Sequence, residues 1–101
     1  MFTFEDIVRL SDRDMQRIAR EVDTKDLVVA LRNVNDDLRQ KFFKGYSQRA
    51  QAQLKEDMEV QQPIRLSVVE DSQQKIVAII RRLEQAEEIT IAGGGGSDTL
   101  V

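Results

Sequence analysis

Before Gly93 the chain contains only two strong helix breakers, Gly45 and Pro63. Elsewhere its apolar residues recur in steps of three and four, the spacing that gathers side chains on one side of a helix. No segment alternates in the period-two manner of a strand until the chain reaches Ile89. The expected fold is therefore all-α: a compact bundle of about six helices with a long C-terminal helix and a flexible Gly-rich tail. A length of 101 residues suits one domain, and 41% hydrophobic residues supply enough apolar material for a core.

Phe4, Ile7 and Val8 form a first short stripe. Ser11 then offers an N-cap, with Asp14 three residues on, before Met15, Ile18, Ala19 and Val22. Asp23 or Thr24 is expected to cap the third helix, whose stripe is Leu27, Ala30, Leu31 and Val34. Asn35 caps a fourth through Leu38, Phe42 and Phe43, and Gly45 stands where a left-handed residue would end it. Ser47 caps a fifth helix running to about Val60, with a thin apolar face of Ala50, Leu54 and Met58. Gln61-Gln62-Pro63-Ile64 breaks it, since proline removes a donor and restricts the preceding residue.

Ser67 with Glu70 has the spacing of a capping box for the sixth helix. That helix carries Val69, Gln73, Ile76, Ile80 and Leu83, widened by Val77 and Ile79, and ends in Glu84–Glu88. Ile89–Ala92 reads as a short extended strap, and Gly93–Gly96 opens a tail, residues 93–101, expected to be disordered. Connections of two to four residues would pack neighbouring helices in sequence order.

The sequence has no cysteine and no histidine. Disulfides, thiolate nucleophiles and imidazole ligands are excluded, and with them much of the usual acid–base repertoire. No serine has a histidine to activate it, and the glycine tract precedes neither a helix nor a Lys-Ser/Thr pair, so it is no phosphate loop. No enzyme activity, cofactor or metal is expected. A net charge of −3 and only 5% aromatic residues argue against a nucleic-acid partner. No apolar run nears the roughly 20 residues that span a bilayer, so no direct membrane insertion is expected. Met1–Asp6 lacks the basic start of a signal peptide.

The fifth helix is the most informative segment. At 100° per residue, Arg49, Gln53, Glu56, Asp57 and Val60 fall on one side, away from Leu54 and Met58. One face thus carries a positive charge near its start and two negative charges about two turns later. It reads either as an ordinary solvated face or as a strip that meets a charged partner. Glu56 and Asp57 as a metal site are disfavoured by Lys55 beside them. Asp36-Asp37 reads as first-turn acids facing a helix dipole, and Arg81-Arg82 as cations near the opposite end of one.

Several blocks resemble the C-terminal domain of the flagellar motor switch family FliG. Met1-Phe2-Thr3-Phe4 is similar to its Met-Phe-x-Phe hinge, and Arg17–Asp23 to its second helix. Ser47-Gln48-Arg49-Ala50, Pro63-Ile64-Arg65-Leu66 and Ile80–Glu84 match further blocks in order. The resemblance implies a fragment: residues 1–4 as a hinge remnant (Met1, Phe2, Thr3, Phe4), 5–92 as a six-helix rotor domain, then the tail. It implies functional charges at Arg32, Arg49, Glu56, Asp57 and Arg65. The family often has Lys at Arg32, Asp at Glu56, Gly at Gln62, Met at Tyr46 and Asn at Gly45. Asn and Gly both tolerate positive φ, so the helix end at Gly45 is expected to be kept.

The partner implied is the cytoplasmic loop of the stator A subunit, with FliM and neighbouring FliG subunits as partners of the full-length protein. The setting implied is the switch complex of the basal body, at the cytoplasmic face of the inner membrane. The charged helix would generate torque by electrostatic contact, and rotation at the hinge would reverse direction. Two other readings stay open. A helical adaptor would expose Phe2, Phe4, Phe42 or Phe43, and a helix-turn-helix regulator would bind duplex DNA.

Overall fold

The computed structural model describes residues 2–60 and 62–91, and the predicted disordered tail lies outside the described residues, as does Met1. All regular elements described are helical. A 3-10 helix, Phe4–Arg9, is followed by α1 (Asp12–Glu21) and α2 (Thr24–Ala30). The chain leaves α2 through a second 3-10 turn, Leu31–Asn33. Then come α3 (Asp36–Phe43), α4 (Gln48–Met58) and the long α5 (Leu66–Gln85). The six predicted segments are present, the first in 3-10 form and the third with a 3-10 end.

Four of the predicted caps bound their helices. Ser11 accepts from Asp14 N–H at 3.1 Å, Asp23 from Lys25 N–H at 2.9 Å, Asn35 from Leu38 N–H at 2.9 Å, and Ser47 from Ala50 N–H at 3.1 Å. Each satisfies a donor that the first turn leaves open and is worth about 1 kcal/mol. At the N-terminus the Asp6 carboxylate accepts from Thr3 N–H at 2.8 Å and from its hydroxyl at 3.1 Å. The backbone N–H of Thr3 is the main reason that Asp6 sits below the usual carboxylate range.

α5 is the spine. Its stripe of Val69, Ile76, Val77, Ile80 and Leu83 is buried, and it packs chiefly along α2, with contacts to α1 and the first 3-10 helix. Gln73 belongs to this stripe for a polar reason: its amide donates to the Ala30 carbonyl at 2.9 Å and to Asn33 Oδ1 at 3.1 Å, tying the frayed end of α2 to α5. Phe42 is 1% exposed and stacks on Phe4, ring centroids 5.7 Å apart, which fastens the N-terminal 3-10 helix to α3. Within that first helix Ile7 is buried whereas Val8 is 44% exposed, so Val8 drops out of the predicted stripe and Leu10 takes its place.

Two predicted helix boundaries are corrected. Ser67 does not cap α5, because the helix already starts at Leu66 with Arg65 as N-cap. Pro63 constrains backbone only up to Gln62, so the chain can turn helical before the serine. The Arg65 carbonyl accepts from both Val68 and Val69, and the Ser67–Glu70 spacing falls inside the first turn. Gly45 is not left-handed either; Glu87 is the one non-glycine residue with positive φ among the described residues, and Gly45 is required for space. A Cβ there would lie 2.6 Å from the Met15 carbonyl oxygen and 3.3 Å from Ala19 Cβ. The glycine therefore sets how closely the end of α3 approaches α1. The α4–α5 connection, residues 59–65, is also longer than the predicted two to four.

The left-handed residue sits at the end of α5. Glu87 has φ 60°, Glu87 N–H donates to the Glu84 carbonyl at 2.9 Å, and Glu88 N–H to the Leu83 carbonyl at 2.9 Å. This is a Schellman motif with glutamate where glycine is usual. Replacing Glu87 by glycine should raise the unfolding free energy by about 0.5–1 kcal/mol, measured by urea denaturation. A loss of stability would contradict this reading of the turn.

The turn directs the strap back over α1. Ile89 is 4% exposed, and Thr90 N–H donates to Asp14 Oδ2 at 3.3 Å. Arg17 grips Glu88 at 2.5 Å and Glu21 at 2.9 Å, and Arg82 reaches Glu21 at 3.2 Å. The hydrogen bond from Arg17 is the main cause that holds the Glu21 carboxyl below its ordinary range.

Tyr46 lies half-buried between α3 and α4, its hydroxyl enclosed and without a hydrogen-bond partner among the described residues. Burial pushes its pKa up to about 12 from 10.0. The folded state therefore holds the proton through a window where the unfolded chain has lost it. Its contribution is complete below pH 10 and declines as pH rises towards 12, by on the order of 2 kcal/mol. Tyr46→Phe should abolish this alkaline loss in a pH series of denaturation curves. It should leave neutral stability unchanged or higher, because no hydrogen bond is given up.

A charged surface helix as candidate functional site

α4 buries little. Leu54 is its one fully buried side chain, with Ala50, Gln51 and Met58 half-buried. That anchorage is worth about 1.5–3 kcal/mol for the leucine. Gln51 adds a bond from its amide to the Tyr46 carbonyl at 2.9 Å, and Lys55 Nζ stands 5.5 Å from the centre of the Phe43 ring. The other side of the helix faces solvent.

Arg49, Gln53, Glu56, Asp57 and Val60 are all exposed. Arg49 and Glu56 are seven residues apart, which is about 10 Å along the axis. Neither makes an ion pair among the described residues. Asp57 accepts from the Gln53 amide at 3.0 Å, a link one turn long that orients one carboxylate oxygen. The positive and negative groups are thus separated along the helix and do not neutralise each other.

Of the remaining two predicted site residues, one lies in the α4–α5 connection and the other touches it from the end of α2. Arg65 is exposed at the N-cap of α5. Arg32 is half-buried on the 3-10 turn after α2, and its guanidinium donates to the Gln62 carbonyl. Arg49, Glu56 and Asp57 share one face; Arg32 instead holds the backbone of the connection. Of the predicted hinge residues, Thr3 is exposed, Phe2 is half-buried against the core, and Phe4 is 6% exposed inside it.

Of the four aromatic residues expected to be exposed in the adaptor reading, Phe4, Phe42 and Phe43 are buried and Phe2 is half-buried. The exposed large apolar residues are Val8, Val60, Ile64, Leu66 and Val68, four of them around the α4–α5 connection. Asp36 and Asp37 occupy the first turn of α3, as expected of dipole-facing acids. Among the described residues no group of acidic side chains could hold a metal ion, and no helix is long and apolar enough to cross a membrane. Sequence reasoning missed Arg39 and Lys55, which flank a groove behind α4. Sixteen positions separate them, and no local pattern links them.

Fold and surface together define a small all-helical domain that displays a charged helix held by few core contacts. The chain belongs to the FliG C-terminal domain family, whose sequence model matches residues 1–91. Flagellar motor switch protein FliG from Thermotoga maritima is 54% identical over 101 residues, covering 100% of this chain and 30% of that protein. The Bacillus subtilis protein of the same name is 46% identical, again over 100% of this chain and 30% of its own length. The chain thus spans about a third of the curated relatives that it matches. Among solved structures, a crystal structure of FliG from H. pylori superposes with a TM-score of 0.87 at 36% identity, covering 91% of this chain and 40% of that one. Full-length FliG from Aquifex aeolicus gives 0.81 at 44% identity, covering 84% of this chain and 26% of that one.

Proposed function

We propose that this domain is the rotor face of a flagellar motor switch, and that the outer side of α4 meets the cytoplasmic loop of the stator A subunit. The observation that carries the reading is the exposure of Arg49, Glu56 and Asp57 on one helix, separated and without mutual neutralisation. An exposed ion pair contributes about 0–1 kcal/mol. Contacts of that size form and break readily, which suits a surface that steps past its neighbour. Force would come from the ion flow through the stator, so the domain has no bond to hydrolyse. In this scheme Arg65 extends the strip beyond α4, and Arg32 keeps the connection to it in place.

The full-length protein would work at the cytoplasmic face of the inner membrane, in the basal body switch complex, beside FliM and further FliG subunits. Reversal would come from rotation of the domain at its N-terminal hinge. Burial of Phe4 against Phe42 supports a pivot at or before Thr3, with the domain turning as one body.

Binding of the full-length rotor protein to the stator's cytoplasmic portion tests the reading by its salt dependence. Affinity should fall several-fold between about 50 and 500 mM salt, as the screening length shrinks to a few ångströms. Affinity indifferent to salt would point to an apolar contact and overturn the proposal.

A further inference from the structure

Behind α4, on the side away from Arg49 and Asp57, lies a groove of about 340 Å³. Its floor is apolar: Leu31 and Phe43 are buried and Met58 is half-buried. Its walls carry Arg32, Arg39 and Lys55 against the single acid Glu59. The chain as a whole has net charge −3, so this is a local concentration of positive charge on an acidic molecule.

Arg39 is the key residue. Its guanidinium is held only loosely: the Leu31 and Val34 carbonyls are 3.5 and 3.4 Å from its terminal nitrogen, and Asp36 is 3.8 Å away. Those lengths lie beyond good hydrogen-bond geometry. Its Nε–H is enclosed and has no hydrogen-bond partner among the described residues. A guanidinium with five donors is thus left well short of its bonding capacity. Lys55 places its Nζ over the Phe43 ring at the other wall.

We infer that this groove is a second docking surface, independent of the outer face of α4, and that it takes an acidic peptide segment with an aliphatic neighbour. The carboxylate meets Arg39 and Lys55, a pairing in which Arg offers two parallel donors. The aliphatic side chain covers Phe43 and Met58. A bare phosphate would leave that apolar floor wet, and a flat lipid surface would not enter a concave groove. Charge complementarity and the apolar floor therefore favour a peptide.

The test is a 1H–15N titration of the 101-residue chain, following the Arg39 Nε–Hε resonance and, for Kd in the parent and every variant, the backbone amides of Phe43 and Met58. The probe is a capped Leu-Glu-Glu-Leu peptide, with Leu-Gln-Gln-Leu, inorganic phosphate and anionic phosphatidylglycerol vesicles as controls. The acidic peptide should shift the Arg39 signal saturably. Lys55→Gln and Arg39→Gln should each raise Kd roughly tenfold, the effect of losing one charge-assisted contact. Lys55 is exposed, so its variant keeps the test valid if Arg39→Gln fails to fold. Arg49→Gln should leave Kd unchanged, which separates this surface from the proposed stator face. No shift at Arg39, an equal response to the glutamine peptide or phosphate, or preference for vesicles would each overturn the inference.

Discussion

Phe42→Ala should lower the unfolding free energy by about 4 kcal/mol, the middle of the range for truncating a buried aromatic. The side chain is 1% exposed, so nearly all its area returns as cavity or water contact. It also loses a stacked ring pair with Phe4, worth a further 0.5–1.5 kcal/mol or so. Against a total of about 5–15 kcal/mol for a domain, this is a large fraction. The loss should be uneven. The 3-10 helix Phe4–Arg9 leans on α3 through this pair, so its amides should lose hydrogen-exchange protection before those of α5. Val8→Ala, at an exposed position of the same segment, should be nearly neutral. A Phe42→Ala loss below about 1 kcal/mol would mean that the core refills around the gap, against close packing.

The second large effect is functional. Arg49→Glu combined with Asp57→Arg in a full-length rotor protein should stop swimming or nearly so, with the domain still folded. Both side chains are exposed, so each change should move stability by less than about 0.5 kcal/mol. At the proposed interface each reversal replaces attraction by repulsion, a swing of about 1–2 kcal/mol per contact. Either reversal alone should be milder, because the neighbouring charges, Glu56 and Arg65 among them, still engage. Motility equal to that of the parent in the folded double variant would remove α4 from the force path.

What the sequence made legible follows from range. Ser11, Asp23, Asn35 and Ser47 act on donors two or three residues away, so each cap can be read from its own neighbourhood. The stripe of α5 is equally local, as is the solvent face of α4, because both follow from one helical period. The constraint on Gly45 is not local, because it comes from the Met15 carbonyl, thirty positions earlier. A glycine after a helix suggests left-handed backbone, and only packing reveals that it makes room instead. Ser67 has the correct local signal, but the helix begins two residues earlier, with Arg65 as its N-cap.

The partly missed portion of the site has the same origin. Arg32 was singled out by resemblance as a charge, yet its nearest task is a bond to the Gln62 carbonyl across the chain. Arg39 and Lys55 stand on different helices and carry no shared motif, so their place on one groove could come only from the tertiary fold. Tyr46 and Gln73 likewise show in sequence as a bulky and a polar residue. Their environments, a partnerless hydroxyl and a clamp on the end of α2, are products of the fold.

The most direct measurement is the torque of single motors carrying Arg49→Glu, paired in turn with stator variants whose acidic loop residues are reversed to lysine. Force transmitted by attraction between unlike charges predicts that the rotor change alone lowers torque and that at least one reversed stator restores it. If no stator reversal restores torque to the folded Arg49→Glu rotor, or if that rotor turns at full torque by itself, the charges on α4 are not what the stator grips.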